Sequence, residues 1–206
     1  MNTGNETLGT LLLCRHGETE WNRSGRIMGQ GDSPMTVEGL ARIRVLADLI
    51  AQQGVDRIVA SPLGRAALTG CMYSERLSAP VHFDALIAEL SAGAWQGELR
   101  MQGTVHGRPF RAGWDDRPPQ GESYADAEDR VARFLAKLPS FQQETLLIVG
   151  HAGINKVILK MLLNLTPDAA MNIVFPHAIF YRIDSSGQIL LFSPAHAYGK
   201  IVHFET

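Results

Sequence analysis

The chain has 206 residues, enough for one large domain that buries roughly 70% of its unfolded surface and needs no disulfides or metal for stability. Its 19 Lys and Arg nearly balance 21 Asp and Glu, and a net charge of -2 excludes the broad basic surface of a nucleic-acid binder while leaving room for a small anion held by local arginines. The two cysteines, Cys14 and Cys71, make no disulfide framework and no CxxC pair; both stand among apolar neighbours and read as small buried hydrophobes.

Residues 1–9, rich in Asn, Thr and Gly, read as a mobile tail with no secretory pattern. No segment reaches the ~20 apolar residues of a membrane span, so a reducing cytoplasm is the expected setting. Thr10 to Cys14 is a short continuous apolar run, the pattern of a strand covered on both faces. "MTVEGLARIRVLADLIAQQG" sets Val37, Leu40, Ile43, Leu46 or Ala47, and Ile50 at helical spacing, with Gly54 as the stop. "VDRIVAS" is a second strand, after which Ser61 is the expected N-cap and Pro62 the first residue of a helix. "PVHF" is a brief third strand.

A poorly patterned stretch of about 91–121 follows, rich in Gly, Pro and Arg. "ADAEDRVARFLAKL" is a helix with Ala127, Val131, Phe134, Leu135 and Leu138 on its apolar side. "ETLLIVG" is the most strand-like run, and "INKVILKMLLNL" after it reads as a helix. Two late strands, "AIFYRID" and "QILLFS", flank the turn residues Ser185, Ser186 and Gly187. Alternating strands and helices specify an α/β fold with a mainly parallel sheet and helices on both faces, plus one antiparallel late strand.

In such sheets ligands sit beyond the carboxyl ends of the strands. Arg15 and His16 stand past the first strand, Arg65 past the second, His151 past "ETLLIVG", and Glu89 shortly after the third. Each alone has a duller reading: a surface ion pair, a core histidine, a solvated carboxylate. Together they fit phosphoryl transfer. Two guanidiniums can clamp the phosphoryl oxygens. One imidazole can attack phosphorus, a second can donate to the equatorial oxygens, and a carboxyl can protonate the leaving group. Asn22 could add a neutral donor. A zinc reading of His16 and His151 lacks any usual ligand spacing.

"LLCRHGETEWN", "ASPLGRA", "AELSAGAWQG" and "VGHAG", in that order, resemble the histidine phosphatase superfamily, also called the phosphoglycerate mutase-like family, from about Leu11 to Phe192. The resemblance implies a three-layer α/β/α sandwich in one catalytic domain, 10–206, with 91–121 as a substrate-covering insertion. It implies His16 as the phosphorylated nucleophile, Glu89 as the proton donor, and Arg15, Asn22, Arg65 and His151 as the phosphate pocket. It implies no metal and no cofactor.

The family holds phosphatases and mutases. In cofactor-dependent mutases the catalytic Glu is usually followed by Arg and a Tyr-Gly pair. Here Glu89 precedes a G-x-W-x-G pattern, Gly93 to Gly97, which looks like the phosphatase branch. The expected activity is metal-independent hydrolysis of a small phosphorylated metabolite through a phosphohistidine. The alternatives are mutase-type phosphoryl transfer and a non-catalytic phospho-ligand-binding module. No nucleic-acid or membrane partner is expected, and oligomeric state is unreadable.

Arg100, Arg108, Arg111 and Arg117 could read a second anionic group or could be solvated, with Asp115 and Asp116 as partners. Gln120 to Ser123 also resembles a family motif, without a role assigned. His177 stands where family members often carry Asn; it could be a pocket residue or a harmless surface change, and the surface reading is the preferred one. His196 and Tyr198 lie in a tail that could cover the site. Trp21 and Trp95 read as packing anchors, and His82, His106 and His203 have no context.

Overall fold

The structure, a computed structural model, describes residues 9–138 and 144–204; the expected tail therefore lies outside the described residues apart from Gly9. Nine strands are present among the described residues. They are β1 (Thr10–Arg15), β2 (Arg57–Ala60), β3 (Val81–Phe83), β4 (Thr104–Val105), β5 (Arg108–Pro109), β6 (Thr145–Gly150), β7 (Phe180–Ile183), β8 (Ile189–Ser193) and β9 (His196–Ile201). The helices are α1 (Glu20–Arg23), α2 (Val37–Ala51), α3 (Gly64–Leu77), α4 (Tyr124–Leu135), α5 (Ala152–Leu163) and α6 (Pro167–Met171). None is long and apolar enough to cross a membrane.

Seven strands form one sheet in the order β3-β2-β6-β1-β7-β8-β9. The first four are mutually parallel, and β7, β8 and β9 run antiparallel to their neighbours. The sequence pattern called for one antiparallel late strand; three strands instead extend that side. The last, β9, has a short polar pattern with Gly199 at φ +79, so it carries no apolar run to announce it.

Alternation along β1 divides the core into two layers. Leu11 and Leu13 face α4 and α5, packing with Val131, Phe134, Ile154 and Ile158. Leu12 and Cys14 face α2 and α3, packing with Ile43, Leu46, Ile50 and Tyr73. Both faces are therefore dry, which is why β1 and β6 read as unbroken apolar runs. This is the expected three-layer sandwich.

Two details differ from expectation. Helix α3 begins at Gly64, with Leu63 rather than Ser61 at its N-cap and no side-chain cap. The Ser61 hydroxyl instead accepts from Leu63 N at 3.3 Å and bonds His151 Nε2 at 2.8 Å. Cys14 is buried as expected, and burial drives its thiol pKa upward, but Cys71 is exposed on α3.

Candidate active site

The parallel strands deliver the site. Arg15 ends β1 and His16 follows it; Arg65 opens α3 after β2; His151 links β6 to α5. Glu89 follows β3 by way of a 3-10 turn at Ala85–Ile87. A cleft of about 300 Å³ opens at this sheet edge, and Arg15, His16, Asn22, Arg65 and Glu89 all line it.

His16 is only 3% exposed, so its protonation state follows from its partners. Its Nδ1 lies 2.7 Å from the Gly17 carbonyl oxygen, which can only accept; Nδ1 therefore carries the proton and Nε2 the lone pair. Nε2 accepts from Arg65 Nε at 3.1 Å. Burial, then His151, Arg15 and Arg65, hold the His16 pKa well below the ordinary value of 6.5. A neutral imidazole presenting Nε2 is the form a nucleophile needs. Gly17 allows this placement, because a Cβ there would lie 2.4 Å from Ile43 Cδ1 of α2.

Arg65 is buried and pinned. Its Nη1 donates to Gly31 O at 2.6 Å and its Nη2 to Gly29 O at 2.7 Å, with Asp32 Oδ1 3.5 Å away. Arg15 donates from Nη1 to Phe175 O at 3.2 Å, while its buried Nε has no partner. Burial lowers the Arg15 pKa to about 10, and it stays a cation at neutral pH.

His151 is fully buried behind His16, with ring centroids 5.1 Å apart, and is absent from the cleft wall. Ser61 Oγ accepts from Leu63 N and is hydrogen-bonded to His151 Nε2 at 2.8 Å, which fixes the orientation of the ring. That buried Nδ1 has no partner. Burial, with Arg65 and Arg15 next, keeps the His151 pKa well below 6.5.

The Glu89 carboxylate caps α5. Oε2 accepts from Gly153 N at 3.1 Å, and Oε1 from Ile154 N at 2.9 Å and Leu90 N at 3.0 Å. Gly153 is required for this contact, since a Cβ there would lie 2.6 Å from Glu89 Oε1. Arg130 of α4 anchors the preceding loop by donating from Nη1 to Leu86 O and Ala88 O, each at 2.7 Å. Asn22 sits in a capping box of α1, where its Oδ1 accepts from Thr19 N at 3.2 Å, leaving the amide nitrogen available to the cleft.

Sequence reasoning missed three contributors. Arg26 and Tyr124 line the cleft without having been singled out, and His177, for which the sequence favours the surface reading over the pocket one, lines it too. His177 donates from Nδ1 to His16 O at 2.8 Å, and its ring centroid lies 5.4 Å from that of His16. The signal was topological: β7 runs antiparallel to β1, so the loop before β7 reaches the same edge as the loops after the parallel strands.

The insertion arginines divide. Arg100 and Arg111 line the cleft, whereas Arg117 pairs with Asp126 and Arg108 is exposed in β5. Asp116 accepts from Gly113 N rather than from an arginine. His196 bonds Ser193 and Tyr198 is fully exposed on β9, so neither covers the site.

A family model described as the histidine phosphatase superfamily, branch 1, matches residues 11–189. The chain belongs to this superfamily. Among its relatives, "Probable phosphoglycerate mutase GpmB" of Serratia proteamaculans is 30% identical over 95% of both chains. The "Adenosylcobalamin/alpha-ribazole phosphatase" of Salmonella typhimurium is 30% identical over 75% of this chain and 80% of its own. Among solved structures, a mycobacterial glucosyl-3-phosphoglycerate phosphatase superposes with a TM-score of 0.77 at 22% identity, covering 90% of this chain and 97% of that one. That likeness supports the histidine phosphatase fold. The superfamily includes both phosphatases and mutases by name, so it defines a phosphatase-or-mutase enzyme and leaves the substrate to the cleft.

Proposed function

We propose that this protein is a metal-independent phosphomonoesterase that hydrolyses a small phosphorylated metabolite through a phosphohistidine. The observation that carries the reading is a neutral His16 whose Nε2 lone pair faces the Arg65 guanidinium, with the Arg15 guanidinium in the same cleft. Beside it the buried Arg15 Nε, an obligate donor, has no protein partner, and neither has the buried His151 Nδ1. An unpaired buried donor costs roughly 1–3 kcal/mol, and a phosphoryl oxygen would satisfy the one on Arg15.

In the first step Nε2 of His16 attacks phosphorus and the ester P–O bond breaks. Protonated Glu89 gives its proton to the departing oxygen. In the second, Glu89 takes a proton from water as that water attacks phosphorus, the P–N bond breaks, and phosphate leaves with His16 neutral again. Arg15 and Arg65 neutralise the equatorial oxygens throughout, and the neutral His151 ring assists by hydrogen bonding alone.

Mutase-type transfer is the second reading, favoured by Arg26, Arg100 and Arg111, which give the cleft cations for another anionic group. The deciding experiment is phosphate release from p-nitrophenyl phosphate in the presence of EDTA, wild type against His16→Ala. Release by wild type and its loss in the variant support the hydrolase. A folded wild type that releases nothing, yet moves phosphate between phosphoglycerates when primed with a bisphosphate, would replace it with the mutase.

A further inference from the structure

His177 has a second nitrogen that the proposed chemistry does not use. Its Nδ1 faces the His16 carbonyl, an obligate acceptor, so Nδ1 carries the ring proton and Nε2 is left as a bare lone pair. Nε2 has no hydrogen-bond partner among the described residues, and the ring lines the cleft. The other lining side chains are rich in donors: Arg15, Arg26, Arg65, Arg100 and Arg111 contribute guanidiniums. The side-chain acceptors are mostly engaged. Glu89 receives three backbone amides, and the Asn22 oxygen receives Thr19. Burial, then Arg15, lower the His177 pKa to about 4, so the accepting form prevails at neutral pH.

A phosphoryl group has no use for such an acceptor, since its dianion offers only acceptor oxygens. A hydroxyl on the carbon skeleton of the ester does. We propose that His177 is a specificity-determining residue whose Nε2 accepts a hydrogen bond from a hydroxyl of the leaving group. The cleft would then favour polyol or sugar phosphates over plain alkyl phosphates. This rests on the hydrolase reading above.

The test compares kcat/KM for glycerol 3-phosphate and propyl phosphate, which share a three-carbon chain and differ in hydroxyls. Wild type should prefer the glycerol ester by roughly tenfold, the worth of one net hydrogen bond. Two variants separate the two ring nitrogens. His177→Asn places an amide nitrogen two bonds from Cβ, where Nδ1 was, and draws the acceptor back to an Oδ1 one bond short of the Nε2 position; the preference should vanish. His177→Gln places a carbonyl oxygen three bonds from Cβ, where Nε2 was, and should keep most of the preference while lowering turnover of both esters. An unchanged preference in His177→Asn would overturn the assignment, as would a wild type that hydrolyses both esters equally. Wild type inert towards both, and towards p-nitrophenyl phosphate, would instead overturn the hydrolase reading itself.

Discussion

At the scale of single residues, the site depends on glycines as much as on charged groups. Gly17 lets His16 pack beneath α2, and Gly153 lets the Glu89 carboxylate sit on the first turn of α5. Gly153→Ala would press its methyl against Glu89 Oε1 and Leu90 Cδ1, at 2.6 and 2.8 Å before any adjustment. The carboxyl group must then shift, and a displaced general acid matters most where the leaving group is a poor one. Since positioned proton transfer contributes roughly 10²–10⁴-fold, kcat for glycerol 3-phosphate should fall about 10–100-fold. Turnover of p-nitrophenyl phosphate, whose leaving group departs as a stable anion, should fall by severalfold at most. Equal losses on the two esters would show that Gly153 acts on something other than the proton donor. The place of His177 is decided not by the residue itself but by the direction of the strand after it, since only an antiparallel β7 brings its preceding loop to the edge where β1 ends.

At the scale of elements, legibility in the sequence follows burial. Strands β1 and β6, covered on both faces, announce themselves as apolar runs, and α4 shows its inward stripe at Val131 and Phe134. The Arg15, His16, Arg65, Glu89 and His151 constellation is legible because each residue follows one of the four parallel strands read from the sequence, β1, β2, β3 and β6. Strand β9 and the insertion are opaque, since their order comes from contacts distant in sequence. The neck of the insertion is closed by such contacts. Ser91 N donates to Glu122 Oε2 at 2.7 Å, Glu122 N donates to Ser91 O at 2.9 Å, and Arg111 donates from Nη2 to both Ser91 O and Glu122 O. The neck therefore aims Arg111 at the cleft. Glu122→Ala should leave the Ser91 amide unpaired and cost roughly 1–3 kcal/mol, read as a lower urea midpoint. It should also speed tryptic cutting after Arg100, which Met101 follows; a variant as stable and as resistant as wild type would show that the neck is held elsewhere.

At the scale of the whole molecule, three buried or half-buried histidines share one edge of the sheet, and all three are held neutral. Burial is the first cause for each, with the surrounding cations next: His16 and His151 lie well below 6.5, and His177 at about 4. A folded-state pKa below the unfolded one means that the unfolded chain binds protons first as pH falls. The stability from these groups is thus whole above about pH 6.5 and is lost as pH drops towards the folded values. Each proton difference is worth about 1.4 kcal/mol per pH unit, so three give a limiting slope of about 4 kcal/mol per unit. Glu38, Asp126 and Asp184 also have lowered values, but their ordinary pKa values of 4.5 and 3.8 place their contribution lower still. The interval from pH 6.5 to 5 therefore isolates the histidines. Urea unfolding at pH 7.5, 6 and 5 should show stability steady at the top and falling steeply below. His177→Asn should remove one of the three protons and flatten the slope by about a third. A flat profile from pH 7.5 to 5 would mean that the folded cleft accepts these protons, leaving His16 without the lone pair that its place among the arginines provides.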